Sequence, residues 1–281
     1  MPAAKTQSVP ALQRALSILE SLSKSKHGLT LSQLSRSLDL PKSSVHCLLL
    51  TFERHGYLHH DDSSGRYRLG LRLCDLANAA VSGVMLRDQA APFLNQLRES
   101  THLTTHMAVL EQDEVVLIEK VEPPAARVNS WIGKRMDVHC TALGKALTAY
   151  LPEEQVEALV RRRGLLRHND NTIASLKRLK QELEQVRKQS YSIDDEEEEI
   201  GVRCLGVPIL SATKQALAAI SIAGTTDQIN ADSRDALVAE VKAAAGAIAA
   251  TLAQTPASAG AHFPAPQGPT PEYRNVHNTG P

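Results

Sequence analysis

Leu29-Thr30-Leu31-Ser32-Gln33-Leu34, followed by Leu40-Pro41-Lys42-Ser43-Ser44-Val45-His46-Cys47-Leu48-Leu49-Leu50-Thr51-Phe52, carries the assignment of the first part of the chain. Thr30 and Gln33 have the S/T-x-x-E/Q spacing of a capping box, in which each residue satisfies an orphan backbone N–H of the other. Leu29 and Leu34 stand at the N′ and N4 positions of a hydrophobic staple. These two signals place a helix start at Thr30, with an expected end near Leu38. Pro41 is expected to open the next helix, since its preset φ and missing N–H suit the first helical position. Val45, Leu48, Leu49 and Phe52 recur at i, i+3, i+4 and i+7, one buried stripe, and Gly56 ends the pattern. Two short helices on a tight connection are a helix-turn-helix candidate.

Upstream, Leu12, Ala15, Leu16, Leu19 and Leu22 predict a leading helix broken at Gly28. Downstream, Tyr57-Leu58 and Tyr67-Arg68-Leu69 flank the turn-rich Asp61–Gly65 and predict a short hairpin, the wing. With the apolar stripe turned inward, Ser43, Cys47, Leu50 and Arg54 face outward, and Lys42, Ser44 and His46 flank the helix start. In a helix-turn-helix that outer side enters the major groove, ~12 Å wide, where short polar groups reach phosphates and base edges. Arg66 and Arg68 on the wing, with His59 and His60, are expected to add backbone contacts.

The charge distribution agrees. The chain is formally neutral, but residues 1–75 hold 10 Lys/Arg against 6 Asp/Glu, and the remainder holds 21 against 25. A small basic head on an acidic body fits a nucleic-acid partner. With 281 residues, 42% hydrophobic and 22% charged, the chain is expected to form about two folded domains, which excludes a mainly disordered or coiled-coil protein. No uninterrupted apolar run reaches the ~18 residues of a membrane span, and Met1–Thr6 lacks a hydrophobic signal core. A cytoplasmic location and no membrane contact are the expectation. Cys47, Cys74, Cys140 and Cys204 are scattered, with no C-x-x-C pair, so neither a disulfide framework nor a zinc ribbon is indicated. No metal site and no cofactor are predicted.

Residues 71–101 read as helical, with Leu73, Leu76, Ala77, Ala80, Val81 and Val84 on one side and interruptions at Gly83 and Pro92. They are expected to connect two domains and to supply a dimer surface. In the body, strands are predicted at 105–110, 115–121, 128–132, 202–209 and 216–222, and helices at 142–150, 152–162, 173–189 and 227–252. Interspersed strands and helices define an α+β sensor-type sheet. Residues 254–281 hold 6 of the 14 prolines without apolar periodicity and are expected to be a disordered tail.

These residues also carry a family resemblance. Leu29–Leu34, Leu40–His46, Gly56-Tyr57-Leu58 and Gly65-Arg66-Tyr67-Arg68-Leu69-Gly70 resemble the winged helix-turn-helix of the IclR family of bacterial transcriptional regulators. His139-Cys140-Thr141-Ala142-Leu143-Gly144-Lys145-Ala146-Leu147, Tyr191–Glu197 and Gly201-Val202-Arg203-Cys204 resemble that family's effector domain. The resemblance covers roughly residues 8–252. It implies a winged helix-turn-helix at 8–70, a helical linker and dimerisation segment at 71–101, and a GAF-like α/β effector-binding domain at 102–252. It implies a double-stranded, roughly palindromic operator, a small organic acid effector, and a homodimer or homotetramer. It also implies a ligand site drawn from Ala142, Leu143, Asp194, Cys204, Ser221 and Ala223, to which a Gly144-Lys145 turn would add N–H groups for a carboxylate. Relatives carry small or hydroxyl-bearing residues where this chain has Leu143 and Ala223. An effector with more apolar bulk than a two- or three-carbon acid, aromatic or branched, is therefore expected. One departure stands out: relatives have Arg after the His of the second helix, where this chain has Cys47, so altered base preference and weaker backbone binding are expected.

Two other readings use the same residues. An enzyme would enlist Cys204 or Cys140 as nucleophile, His139 as base and Asp194 as orienter, but no local nucleophile motif supports it. A sensor that acts on a protein partner, with DNA binding lost, rests on Cys47 alone.

Overall fold

The protein is described by a computed structural model covering residues 9–82, 85–124 and 128–254. The expected tail lies, but for Gln254, outside the described residues, as do the side chains of Ala80, Val81 and Val84 on the connector. The chain divides into two compact units, Met1–Gly83 and Val84–Pro281.

In the first unit, α1 (Pro10–Ser23) leads into β1 (Leu29–Thr30), α2 (Leu31–Ser37), α3 (Lys42–Arg54), the hairpin β2 (Leu58–Asp61) and β3 (Arg66–Leu69), and then α4 (Arg72–Ser82). The capping box is formed: Gln33 N–H donates to Thr30 Oγ1 at 3.3 Å, and Thr30 N–H donates to Gln33 Oε1 at 2.9 Å. Such a cap contributes about 1 kcal/mol. Ile18, Leu22, Leu34, Val45, Leu49, Leu58 and Tyr67 form the buried core, with Leu29, Leu48 and Phe52 against it. Each aliphatic side chain there is worth about 1.5–3 kcal/mol. The cap therefore sets where α2 begins, and the core is why α2 and α3 stay folded.

Pro41 sits one position earlier than expected, as the N-cap of α3 (φ −55°, ψ 137°), and its carbonyl accepts from Val45 N–H at 3.1 Å. The two-residue β1 was not anticipated; it pairs Leu29 with Tyr67 and Thr30 with Arg66, giving a three-stranded antiparallel sheet in the order β1-β3-β2.

Gly28 makes that pairing fit. Its φ is +75°, and a Cβ there would lie 2.5 Å from the Tyr67 carbonyl oxygen. Arg66 Nη1 donates to the Gly28 carbonyl at 2.8 Å, tying the wing to the entry of α2. Gly28→Ala combines left-handed strain with a backbone clash and should cost the first unit about 2–4 kcal/mol. Hydrogen exchange of α2 and β3 amides in the full chain checks this; unchanged protection would refute the role assigned to Gly28.

The second unit contains α5 (Met85–Thr101), β4 (Thr104–Glu111), β5 (Glu114–Val121), β6 (Arg135–Met136), α6 (Ala142–Thr148), α7 (Glu153–Arg163), α8 (Leu176–Gln189), β7 (Ser192–Asp195), β8 (Val202–Leu210), β9 (Ala216–Thr225) and α9 (Arg234–Gln254). Its antiparallel sheet has the order β6-β5-β4-β9-β8-β7. Strand alternation sorts the residues. Met107, Val109, Leu205, Val207, Ile209, Ala218, Ile220 and Ile222 pack with Ala90, Leu94 and Leu97 of α5 and Val238, Val241, Ala245 and Ile248 of α9. Ala108, Leu117 and Ala219 pack with Leu143, Ala146 and Leu147 of α6. By length and composition α9 could cross a membrane, but its buried side chains belong to the sheet core.

Several expectations are corrected. Residues 128–132 are not a strand: Lys134 N–H turns back to the Trp131 carbonyl at 3.0 Å, and Trp131 is 56% exposed. The short strands β6 and β7 were missed. Pro92 lies inside α5 without ending it, whereas Gly83 lies outside the described residues. Gly144-Lys145 is not a turn. Both residues lie inside α6, every residue of which is buried, and Gly144 N–H is spent on the Thr141 N-cap at 3.1 Å.

Candidate functional site

On α3, Val45 and Leu49 are buried and Leu48 and Phe52 half-buried, so the opposite face is the one presented to solvent. Lys42, Ser43, His46, Cys47, Leu50 and Arg54 are all exposed on it, and Ser44 is half-buried at its flank. On the wing Arg68 and His59 are exposed. Arg66 is not a free wing cation, since its guanidinium is held by the Gly28 carbonyl. His60 stacks on Tyr67 with ring centroids 4.3 Å apart. The tip is ordered by Asp61, which accepts from the Ser63 hydroxyl at 2.6 Å, from the Ser64 hydroxyl at 2.7 Å and from Ser63 N–H at 3.0 Å; these bonds hold its carboxyl well below the usual carboxylate range.

The second unit holds a small cavity of about 40 Å³. Sheet register builds it. One row across the strands runs Thr104–Ala223–Cys204–Asp194, and the next runs His106–Ser221–Gly206–Ser192. Helix α6 lies over the second row: a Cβ on Gly206 would come within 2.6 Å of the Ala142 carbonyl, which also accepts from the Ser192 hydroxyl at 2.6 Å. Ala142, Leu143, Asp194, Cys204 and Ser221 line the cavity together. Ala223 does not; it borders an adjoining cleft that shares Val128 and Val202 with the cavity.

Sequence reasoning missed several lining groups: His106, Ser130, Lys134, Met136, Thr141 and Glu198. His106 donates to or accepts from the Ser130 hydroxyl through Nε2 at 2.8 Å. Burial, reinforced by Lys120 and Lys134, lowers its pKa to about 3, so the ring is neutral. Lys134 Nζ pairs with Glu198 at 3.2 Å. Asp194 Oδ1 accepts from Glu197 N–H at 2.8 Å, yet burial pushes its pKa up to about 7. No residue pattern advertises His106 or Lys134; only the β4–β9 pairing and the turn at Trp131 bring them in.

The catalytic reading lacks geometry. His139 Nε2 is engaged by the Leu166 carbonyl at 2.9 Å rather than by a cysteine or by Asp194. Burial pushes the Cys140 and Cys204 thiols up, the opposite of nucleophile activation.

A winged helix-turn-helix with an exposed polar helix face, in one chain with an α/β unit that holds a small polar-lined cavity, defines a DNA-binding transcriptional regulator. Residues 11–62 match the IclR helix-turn-helix domain, and residues 78–250 match the bacterial transcriptional regulator IclR C-terminal domain. The chain is 35% identical to the HTH-type transcriptional regulator XynR of Escherichia coli over 79% of this chain and 88% of that protein. It is 34% identical to the transcriptional repressor IclR of E. coli over 81% of this chain and 84% of that protein. An IclR homologue from Microbacterium hydrocarbonoxydans, crystallised with 4-hydroxybenzoate, superposes with a TM-score of 0.76 at 26% identity over 87% of this chain and all of the other. The protein belongs to the IclR family.

Proposed function

We propose that this regulator is controlled by a small organic acid bound in the second unit's cavity. Its site of action is the cytoplasm, and it works as a regulator rather than as an enzyme. The carrying observation is the single cavity that gathers Ala142, Leu143, Asp194, Cys204 and Ser221. Lys134 and the hydroxyls of Ser130 and Ser221 supply polar anchors for a carboxylate, and Leu117, Leu143 and Met136 supply an apolar wall. That balance favours an aromatic or branched acid, a reading supported by the 4-hydroxybenzoate named with one structural relative. Ligand-to-operator coupling is expected at about 1–3 kcal/mol.

In this reading α3 enters the major groove with Lys42, Ser43, His46, Cys47 and Arg54 toward DNA and Ser44 at the edge. Arg68 reaches phosphate from the wing, and Arg66 braces it. Residues 8–70 are the DNA-binding domain, 71–101 the connector and 102–252 the sensor. The exposed Leu12, Leu16, Leu71 and Leu76 are suited to a homodimer surface, and a two-fold dimer, or a tetramer built from it, reads a roughly palindromic operator. Repression is the sign carried by the name of one relative, IclR of E. coli.

Two measurements test this. In a thermal-shift panel of carboxylic acids, a ligand raises the melting temperature by mass action; stabilisation by aromatic or branched acids is expected, and stabilisation only by two- or three-carbon acids overturns the assigned class. Fluorescence anisotropy on DNA from upstream of the coding region should show binding that weakens steeply with salt. Equal, weak binding to scrambled DNA at both salts would favour the protein-partner reading. In the same assay Cys47→Arg should tighten binding to a family-like operator about tenfold or more and steepen its salt slope by about one. No change in either would remove Cys47 from the interface.

A further inference from the structure

Beside the cavity, on the segment that enters α6, lies a second group of side chains with no part in the regulator reading. A carboxylate oxygen of Asp137, a ring nitrogen of His139 and the sulfur of Cys140 all lie within 4.8 Å of one another. We propose that these three, with His168 beside them, form a binding site for a divalent cation of the zinc class.

The donor set is the first argument. Carboxylate oxygen, imidazole nitrogen and thiolate are the ligand types zinc takes, and mixed N/O/S donors select against magnesium and calcium. Orientation is the second. A carbonyl can only accept, so the 2.9 Å bond from His139 Nε2 to Leu166 O puts the ring proton on Nε2 and leaves the lone pair on Nδ1. A histidine ligand whose other nitrogen donates to a backbone carbonyl is the usual outer-shell support of a metal site. The third is the state of the thiol. Cys140 is fully buried and has no hydrogen-bond partner among the described residues, so a metal would supply its first specific polar contact. On binding, the metal takes the place of the thiol proton, which leaves to solvent.

The fourth donor and the entry path coincide. His168 Nε2 is 3.1 Å from Asp137 Oδ2, and both side chains reach solvent, at 29% and 26% exposure, while His139 and Cys140 are buried behind them. The His139 and His168 rings stack with centroids 6.4 Å apart. The first three ligands lie within four consecutive residues, directly before Thr141, which caps α6, and Ala142, which lines the cavity. A metal here would clamp the backbone on which one wall of the ligand cavity is mounted.

Cobalt(II) titration of the full chain tests the site, because a cysteine thiolate bound to Co2+ gives a near-ultraviolet charge-transfer band. The exposed Cys47 and Cys74 are first changed to Ser to silence them. In that background one Co2+ per chain is expected to bind with a thiolate band, and Zn2+ should displace it. Cys140→Ser should abolish the band. Asp137→Asn and His168→Gln, at solvent-accessible positions that leave the core intact, should each weaken Co2+ binding about tenfold or more. A titration with no thiolate band, a band that survives Cys140→Ser and so arises from Cys204, or Co2+ affinity indifferent to both accessible variants would overturn the proposal. If Cys140→Ser fails to fold, the two accessible variants still decide it.

Discussion

Lys145→Met should lower the unfolding free energy of the second unit by about 3–5 kcal/mol, the cost of removing one partner of a buried ion pair. Lys145 is fully buried, and its ammonium pairs with Glu197 and, at 3.2 Å, with Glu182. Burial pushes the Glu197 carboxyl up, and Lys145 is the largest influence holding it down. The Glu197 Oε2 atom is already buried without a hydrogen-bond partner. Without the ammonium, Glu197 would be an uncompensated buried charge or a protonated acid with poor hydrogen bonds. The damage reaches the cavity, because Glu197 N–H donates to Asp194 and the segment it anchors carries Glu198 and Glu199. Trp131, the single tryptophan, lies in the second unit, so its fluorescence reports urea unfolding there. Lys145→Met with Glu197→Met should cost less than the two single changes summed, since no charge is left stranded. A loss under about 1 kcal/mol for Lys145→Met would show that the pair does not hold this region.

Asp194→Asn should have an effect that grows with pH. Burial raises the Asp194 pKa from 3.8 to about 7, whereas in the unfolded chain it stays near 3.8. Between those values the folded protein holds a proton that the unfolded chain has released. Wild-type stability through this group is therefore fully present below about pH 4 and is lost as pH rises through about 7. The loss is on the order of 4 kcal/mol when complete. Asn keeps an oxygen to accept from Glu197 N–H and never ionises, so the variant should gain on wild type progressively from pH 4 to pH 8. The check is urea unfolding followed by Trp131 fluorescence at several pH values. A stability difference that stays constant across that window would contradict the buried, proton-holding Asp194. The same proton matters for ligand binding, since a neutral Asp194 does not repel an entering carboxylate and can donate to it.

Much of the first unit was legible because its signals act over a few residues. The Thr30–Gln33 box, the Leu29–Leu34 staple and the Val45–Phe52 stripe each depend on one turn or two of helix, and all three are formed. The errors there are of long range. Arg66 read as a free wing cation, but a residue 38 positions away claims it, and β1 exists only because Gly28 lets the chain approach β3. In the second unit the long strands were visible from their apolar runs. The segment 128–132 looked like a strand from its composition, yet the turn from Trp131 to Lys134 ends any ladder.

Local residue order was thus sufficient for the helix-turn-helix, the exposed face of α3 and the alternation that turns Ser221 away from the α5–α9 core. It could not say which strands are neighbours, because pairing depends on burying both faces of one sheet at once and not on any short stretch. The order β4-β9-β8-β7 alone sets His106 beside Ser221 and Cys204 beside Asp194. The same closure buries Lys145 against Glu197, 52 residues along the chain, and brings His168 to Asp137, 31 residues away. Charged and polar groups so far apart in sequence acquire their chemistry only when packing removes water from between them.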